Sequence, residues 1–218
     1  MIKIGINQPH YLPWRLYYER IKEVDLHVVL DDVQFEKNSL VNRNRICKLK
    51  QDPFYLTIPL DTKGKFGDLA INKISSSKTI NWRRKHINSI KSNLFKFSKD
   101  QDFLMQIIDE INCERSYPDF FKLLVELDKL ILKKLKINTP IIFSSDLNIK
   151  NKKSEMIVEI CKSLGANIYL SGPGGVEYLN KLEFSRNNIK IEYTNDLYGK
   201  IKNKYRSVYE KLSVLVDL

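Results

Sequence analysis

The first thirty residues constrain the fold more than any other part of the chain, because two apolar runs flank one helical segment. Residues 2–6 and 25–30 are typical of short buried strands, and residues 15–22 between them predict a helix. A strand, a helix and a second strand in this order form a right-handed unit with parallel strands. The opening therefore predicts an α/β fold.

A polar loop separates the first strand from the first helix. The segment Gln8–Trp14, QPHYLPW, carries an amide, an imidazole, a phenol and an indole, and its two prolines prevent either flanking element from continuing. In an α/β sheet, ligands bind at the carboxyl ends of the strands. Asp31, Asp32 and Gln34 follow the second strand and reach the same edge. This convergence predicts a ligand site.

The middle of the chain predicts an excursion from the parallel sheet. Residues 46–49 and 54–60 predict a β-hairpin, residues 69–74 a third strand, and residues 79–136 three helices. Ile80 is expected on the buried face of the first of these helices, Asp100 as the N-cap of the second, and Pro118 in the first turn of the third.

The last part of the chain returns to the alternation of strands and helices. Strands are predicted at 140–143, 167–170 and 189–193, with a helix at 153–164 closed by Gly165 and a short helix ending at Tyr178. We expect a single domain, 1–218, with a mainly parallel Rossmann-like sheet. The β-hairpin and helical segment form an insertion at about 42–136.

Composition limits the classes of function. No apolar run approaches the roughly 20 residues that span a bilayer, and no secretory leader is present, so we expect a cytoplasmic protein without a transmembrane segment. The three cysteines lie far apart in apolar segments, which predicts neither a disulfide framework nor a zinc site. The net charge of +11 favours anionic partners.

Part of the positive charge is concentrated. Residues 83–99 hold six Lys and Arg and no acid, and residues 200–211 hold five Lys and Arg against one Glu. Phosphorylated substrates, tRNA or an anionic membrane face would suit these segments. The equally strong alternative is that the lysines solvate helix faces.

Several side chains have two interpretations. His10 could act as a general base or donate to a phosphate or oxyanion, or it could tie the loop together, whereas His27 inside its strand is expected to be a satisfied core residue. Asp31 and Asp32 could hold a metal, orient His10 or accept a proton from an amine, or they could form a turn. As neighbours they point in opposite directions, so one of them is expected to face the crevice.

The remaining candidates suit binding. Arg43 and Arg45 offer planar groups for phosphate or carboxylate, or form a solvated hairpin edge. Aromatic rings such as Trp14 and Trp82 could stack on a base or sugar, or fill the core. The bend Ser171–Gly175 could cradle a phosphate, and a tight turn explains it nearly as well.

Six blocks in order resemble the WbqC-like family. They are QPHYLPW, DLHVVLDDVQFEKNSLVNRNRI, the Leu-Thr-Ile-Pro strand, the Asn81-Trp82 helix with His86, the turn Ser144-Ser145-Asp146, and YLSGPGGVEYL. The final LSVLVDL resembles the family's terminal block, whereas Arg15 stands where the family more often has Gly. Members occur in gene clusters for O-antigen and other surface polysaccharides. The resemblance implies transfer of an acyl group, for example glycyl, to an amino sugar.

The opening also resembles the nucleotidyltransferases with the HIGH motif, which implies a related fold, although only one histidine of that motif is present. The leading hypothesis is an acyl or aminoacyl transferase acting on a nucleotide-linked amino sugar, with an aminoacyl-tRNA or acyl carrier as activated donor. The alternatives are nucleotidyl transfer with Mg²⁺ near Asp31 or Asp32, and a non-catalytic protein that binds RNA or glycan.

These hypotheses assign catalysis to His10 and Asp32 and expect no resident metal or certain cofactor. The residues expected to bind substrate are Gln8, Tyr11, Trp14, Asp31, Gln34, Asn42, Arg43, Arg45, Trp82, His86, Ser144, Ser145, Gly172, Gly174, Gly175 and Tyr178.

Overall fold

Five strands form one parallel sheet in a computed structural model that describes residues 1–47, 52–62, 64, 69–78, 80–113, 118–172, 175–209 and 212–218. For residues 176, 178 and 209 only the backbone is described. The strands of the sheet are β1 (Lys3–Asn7), β2 (Leu26–Val29), β5 (Ile141–Phe143), β6 (Ile168–Ser171) and β7 (Lys190–Tyr193). A separate antiparallel hairpin pairs β3 (Arg43–Ile46) with β4 (Phe54–Thr57).

The order of strands in the sheet, β5-β2-β1-β6-β7, determines where a ligand can enter. Starting from β1, the chain first places β2 and β5 on one side of this strand. It then places β6 and β7 on the other side. The connections therefore leave β1 and β6 in opposite directions, which opens a crevice at their carboxyl ends. The mixed α/β architecture with a parallel Rossmann-like sheet is confirmed.

The helices connect the strands and build the insertion. They are α1 (Arg15–Lys22), α2 (Trp82–Asn93), α3 (Gln101–Asn112), α4 (Phe120–Lys134), α5 (Lys153–Ser163), α6 (Gly175–Tyr178), α7 (Lys181–Arg186), α8 (Asn195–Ile201) and α9 (Arg206–Tyr209). Short 3₁₀ turns follow at Ile71–Lys73, Ser144–Asp146 and Val214–Val216. Within the described residues, no helix is long and apolar enough to cross a membrane.

Capping explains where two helices begin. The Asp100 side chain accepts a hydrogen bond from the Phe103 N–H at 2.9 Å, which confirms Asp100 as the N-cap of α3. The expected place of Pro118 in the first turn of α4 is wrong. Asp119 caps α4 through the Lys122 N–H at 2.9 Å, while the Pro118 carbonyl accepts from the Ser76 N–H.

Three local predictions in the insertion were wrong for identifiable reasons. In place of a strand over residues 69–74, Ile71–Lys73 form a 3₁₀ turn, because the N–H groups of Ile71 and Asn72 bond to carbonyls of the acidic turn after β2. The hairpin pairs residues 43–46, so it begins earlier than predicted; residues 48–51 lie outside the described residues. Ile80 is 47% exposed, because α2 begins only after the Asn81 cap.

Two large apolar clusters pack the molecule, besides a small one between α1, α8 and α9. One joins α1 and the Gln8–Trp14 loop to the helices of the insertion, with Tyr11, Tyr18 and Phe120 at its centre. The other joins the sheet to α5 and α7 through residues such as Ile4 and Phe184. The insertion thus shares a core with the start of the chain. The division into a single domain, 1–218, with an insertion at about 42–136 stays a prediction.

Candidate functional site

Hydrogen bonds to three other parts of the chain hold the Gln8–Trp14 loop in place. The Tyr11 N–H bonds to the Leu40 carbonyl at 3.2 Å, and the Leu12 carbonyl accepts from the Asn44 side chain at 2.6 Å. The Pro13 carbonyl accepts from the Val214 N–H at 2.9 Å. A loop held by residues so distant in sequence presents its side chains in one arrangement, which favours a preformed site.

His10 lies at the carboxyl end of β1 with one nitrogen enclosed. The residue is half-buried, its ring centroid lies 5.5 Å from that of Trp14 and 5.4 Å from that of Tyr17, and its Nδ1 is buried without a hydrogen-bond partner among the described residues. Burial, followed by the charge of Arg20, lowers the pKa of His10 to about 4. The imidazole is therefore neutral at physiological pH, and Nε2 is its candidate nitrogen for a ligand.

His27 is buried beside Tyr17 and differs from the prediction. It lies in β2 and is fully buried as expected, but neither ring nitrogen has a hydrogen-bond partner in the described part of the chain. Burial, followed by the charge of Arg20, lowers its pKa to about 3. The expectation of a satisfied core histidine was thus wrong as to the hydrogen bonds, because its partners in the adjacent strands, Gly5 and Ile141, carry no polar side chain.

Arg20 is a site residue that the sequence analysis missed. Its guanidinium donates to the Asn7 side chain at 2.7 Å and to the Leu170 carbonyl at 3.2 Å, so it bridges the ends of β1 and β6. A Cβ atom on Gly172 would lie 2.9 Å from Arg20 Nη1. The only signal in the sequence is that Arg20 follows Leu16 by four residues and so falls on the buried side of α1.

The two aspartates after β2 have different surroundings. Asp31 is buried and accepts hydrogen bonds from the Ser145 hydroxyl at 2.7 Å, the Ser145 N–H at 3.0 Å and the Asn72 amide at 2.8 Å. Asp32 is exposed and shares the Ser144 hydroxyl with Asp31. Asp31 thus ties β2 to the turn after β5, and Asp32 is the carboxylate that faces outward.

No hydrogen bond joins His10 to Asp32 among the residues that the structure describes. A direct His–Asp couple therefore does not form in the free protein. Groups of three or more His, Cys, Asp and Glu that could hold a metal are also absent from the described ranges.

The glycine bend begins at the end of β6, beside the end of β1. The Gly175 N–H bonds to the Gly172 carbonyl at 3.1 Å, and a Cβ atom on Gly175 would collide with the Ser171 hydroxyl. Gly175 is therefore required for the close turn into α6. Gly174 lies outside the described residues, as does the side chain of Tyr178.

A second group of candidates lies on the side of the insertion. Asn42 is buried and donates to the Ile58 carbonyl at 2.8 Å, and Gln34 accepts from the Leu69 N–H at 3.0 Å. The Arg43 guanidinium lies over the Tyr55 ring, 4.6 Å from its centroid. Arg45 is half-buried on the same face of the hairpin as Arg43.

His86 connects the insertion to the loop. Its Nε2 lies 3.1 Å from the Thr57 carbonyl and its Nδ1 lies 2.9 Å from the Tyr11 hydroxyl. Because a carbonyl only accepts, Nε2 carries the proton and Nδ1 accepts from Tyr11. Burial lowers the pKa of His86 to about 4, and the bond to Thr57 opposes this. Trp82, one turn earlier in α2, is only 3% exposed and packs edge-on against His86.

The structure thus separates the predicted residues into two groups joined through Tyr11. The carboxyl edge of the sheet brings together Gln8, His10, Trp14, Asp31, Asp32, Ser144, Ser145, Gly172 and Gly175, and the insertion side holds Gln34, Asn42, Arg43, Arg45, Trp82 and His86. The members of the first group that follow β1 and β6 flank the strand reversal, and the group as a whole is the candidate active site.

Comparison with known proteins supports one family. A family model described as the WbqC-like protein family matches residues 8–215, which is nearly the whole chain. An uncharacterised protein of Mycobacterium tuberculosis, Rv1507c, is 27% identical over 219 aligned residues that cover 99% of this chain and 92% of the relative. No solved structure gives a significant match.

Proposed function

The chain belongs to the WbqC-like protein family, and from this premise we propose that it is a transferase of surface-polysaccharide (O-antigen) biosynthesis. Its reaction would acylate, for example glycylate, the amine of a nucleotide-linked amino sugar. The observation that supports this proposal most is the reversal of strand order between β1 and β6, with a neutral His10 on one side and Arg20 beneath Gly172 on the other. The proposal places the protein in the cytoplasm.

The sugar nucleotide would bind across the reversal. Its diphosphate would lie at the Gly172 bend, where the absence of a side chain makes room for the Arg20 guanidinium and so places a positive charge next to the bend. Trp14, which is half-buried beside His10, would contact the sugar ring. This orientation brings the sugar amine toward His10.

The chemical step forms a C–N bond and breaks the bond between the acyl carbonyl and its carrier. The neutral amine attacks the carbonyl carbon, and Gln8 would donate to the oxyanion that develops. With a pKa of about 4, His10 is too weak a base to deprotonate a free amine. It would accept the proton as the C–N bond forms, when the nitrogen becomes acidic, and pass it to the departing oxygen or sulfur of the carrier.

Asp32 would act on the amine before attack. Its exposed carboxylate can hold the incoming ammonium group, which then loses one proton to solvent and leaves the neutral amine beside the loop. The carrier would be an aminoacyl-tRNA or an acyl carrier, and no resident cofactor is needed. Under the alternative of nucleotidyl transfer, Mg²⁺ would bind at Asp31 or Asp32, but Asp31 already accepts from the side chains of Ser145 and Asn72.

Acyl transfer by the purified protein tests the proposal. A nucleotide-linked amino sugar is incubated with an acyl donor, and the acylated sugar nucleotide is measured by mass spectrometry. His10→Asn should lower kcat about 100-fold or more, with KM for the sugar nucleotide nearly unchanged, because a general base acts only on the chemical step. Asp32→Asn should lower the rate, whereas Asp146→Asn, a control on an exposed carboxylate of the neighbouring turn, should not.

Two results would contradict the proposal. Full activity of His10→Asn would remove the proposed base from the reaction. Release of pyrophosphate on incubation with a nucleoside triphosphate and Mg²⁺, without consumption of an acyl donor, would instead support nucleotidyl transfer.

A further inference from the structure

A groove of about 370 Å³ lies along the outer edge of β4, against α2. Its volume is in the range of small-ligand sites. The residues that line it are Phe54, Tyr55, Leu56, Thr57, Pro59, Ile80, Trp82, Lys85, His86 and Ser89. Tyr55 and Phe54 are 48% and 38% exposed, so the groove offers aromatic surface to solvent.

Tyr55 in β4 offers one backbone donor and one backbone acceptor to the groove. The bond between His86 Nε2 and the Thr57 carbonyl shows that the Thr57 backbone groups face α2. In an antiparallel pair, residues two apart direct their backbone groups to the same side, so the N–H and C=O of Tyr55 also face the groove. Pro53, two residues before Tyr55 and therefore on the same side of the strand, has no N–H.

This pattern favours the edge of a nucleobase over a peptide strand. A peptide that extended the hairpin would need several successive backbone groups of β4. His86 occupies the carbonyl of Thr57 and Pro53 lacks an N–H, so of these three residues Tyr55 is the one that offers both a donor and an acceptor. One edge of a planar base can pair with one such donor and one such acceptor.

The charge around the groove favours a phosphate backbone. Lys85 lines the groove, and residues 82–99 contain no acid. Arg43 lies over the Tyr55 ring, 4.6 Å from its centroid, so the opposite face of the phenol is the one open for stacking. An aromatic platform beside lysine and arginine is the usual combination for single-stranded nucleic acids.

We propose that the groove between β4 and α2 binds the single-stranded end of an RNA, with a base on Tyr55 and its phosphate at Lys85. The inference rests on the proposed function in one respect: it identifies the acyl donor as an acyl-RNA. The groove is linked to the candidate active site, because His86 bonds to Tyr11, the neighbour of His10 in the loop. In this proposal, the end of the bound RNA that carries the acyl group extends toward the loop.

Fluorescence anisotropy of a labelled single-stranded RNA of about ten nucleotides, a length within the site size of such binders, tests the inference. The full chain is titrated without acyl donor or sugar, at several salt concentrations. Tyr55→Ala should weaken binding about tenfold, while Tyr55→Trp should retain it. Lys85→Ala should reduce the slope of log K against log salt by about 0.7.

Two matched variants serve as controls. Phe97→Ala removes an aromatic ring that is 57% exposed in the same basic segment but outside the groove, and it should leave affinity unchanged. His10→Asn should also leave RNA affinity unchanged, so a failure of catalysis and a failure of RNA binding are distinguishable. Thermal melts of each variant verify folding.

Three outcomes would overturn the inference. The first is no binding of the RNA. The second is equal weakening by Tyr55→Ala and Phe97→Ala, which would indicate non-specific attraction to the basic segment. The third is equal affinity for a free mononucleotide and for the RNA, which would show a nucleotide site without any contribution from the strand.

Discussion

Burial keeps all three histidines neutral, although only one of them borders the candidate active site. The pKa values are lowered to about 4 for His10, about 3 for His27 and about 4 for His86, in each case mainly by burial. Neutrality allows His86 to donate to Thr57 and accept from Tyr11 simultaneously. Protonation of that ring would turn its accepting nitrogen into a donor facing a hydroxyl.

We predict that none of the three histidine rings titrates between pH 8 and pH 5.5. Nuclear magnetic resonance of ¹⁵N-labelled imidazoles measures this directly. Because the folded pKa values lie below that of an unfolded histidine, about 6.5, the unfolded chain binds more protons below this pH. These groups should therefore make the protein less stable as pH falls below 6.5. A ring that titrates near pH 6.5 would contradict the prediction for that residue.

The contribution of Asp128 to stability changes with pH in the opposite direction to that of the histidines. Burial raises its pKa to about 7, and the hydrogen bond from the Tyr18 hydroxyl, 2.6 Å from Asp128 Oδ1, partly opposes this. The folded protein thus binds a proton that the unfolded chain has lost. The contribution of this carboxyl group to stability should fall as pH rises from about 4 to 7.

We predict that Asp128→Asn raises the unfolding free energy at pH 8 by about 2 kcal/mol, because the amide still accepts from Tyr18 and carries no charge. At pH 4 the variant and the parent should be nearly equal. Urea denaturation at both pH values provides the measurement. Asp109→Asn, an exposed change on α3, is the control, and equal stability of Asp128→Asn and parent at pH 8 would contradict the assignment.

For single residues, the sequence predicted their place in a strand or loop better than it predicted their contacts. Its pattern placed His10 at the end of β1, because alternation and prolines locate a strand end. It did not reveal Arg20, whose partners, Asn7 and the Leu170 carbonyl, come from separate strands. It also left open which aspartate faces outward, since that depends on serines more than 100 residues away.

The elements of the insertion depend on caps and on tertiary contacts to different degrees. The Asp100 carboxylate accepts from the Phe103 N–H, and it also contacts the Lys134 ammonium group of α4. It therefore begins α3 and ties it to the next helix. We predict that Asp100→Ala lowers the unfolding free energy by about 1–2 kcal/mol, the usual cost of a lost cap.

Chemical denaturation at neutral pH measures this change. Asp102→Ala is the matched control, because Asp102 is exposed in the same first turn and makes no capping bond. Its loss should cost only a few tenths of a kcal/mol through the helix dipole. Equal effects of the two changes would show that charge at the helix start, and not the cap, stabilises α3.

Elements with their own periodic pattern were predictable, and those formed by distant contacts were not. The face of α3, including Phe103, Ile107 and Ile111, is buried as its spacing predicts. The 3₁₀ turn at Ile71–Lys73 is held by carbonyls of residues 31 and 33, which no local pattern records. The same holds for the hairpin, whose register is set by pairs such as Asn44 with Leu56.

At the scale of the whole molecule, the last residues of the chain support the first loop. The Ser213 N–H bonds to the Arg45 carbonyl at 2.8 Å, and the Val214 N–H bonds to the Pro13 carbonyl at 2.9 Å. Asp217 accepts from the Ser207 N–H at 3.0 Å, and the Ser207 hydroxyl also contacts its carboxylate. The resemblance of the terminal block to a family motif therefore has a structural reason.

The arrangement of the candidate site is a property of this whole molecule. Parallel pairing of β1 with both β2 and β6 could be expected from the alternation of elements, and it brings the loop, the acidic turn and the glycine bend to one edge. The groove between β4 and α2 could not be expected, because it requires α2 to pack against β4 through His86.

Removal of residues 213–218 should destabilise the protein far more than the loss of so short a segment suggests. Val214 and Leu215 are buried in the cluster that contains the Gln8–Trp14 loop, and each is worth about 1.5–3 kcal/mol. We predict that the truncated protein unfolds roughly 6–24 °C below the parent in a thermal melt, since about 1 kcal/mol shifts the melting temperature by roughly 2–4 °C at this size. Val216→Ala, at a half-buried position of the same turn, is the milder control. A truncated protein with the parent's melting temperature would show that the loop is fixed without the terminal segment.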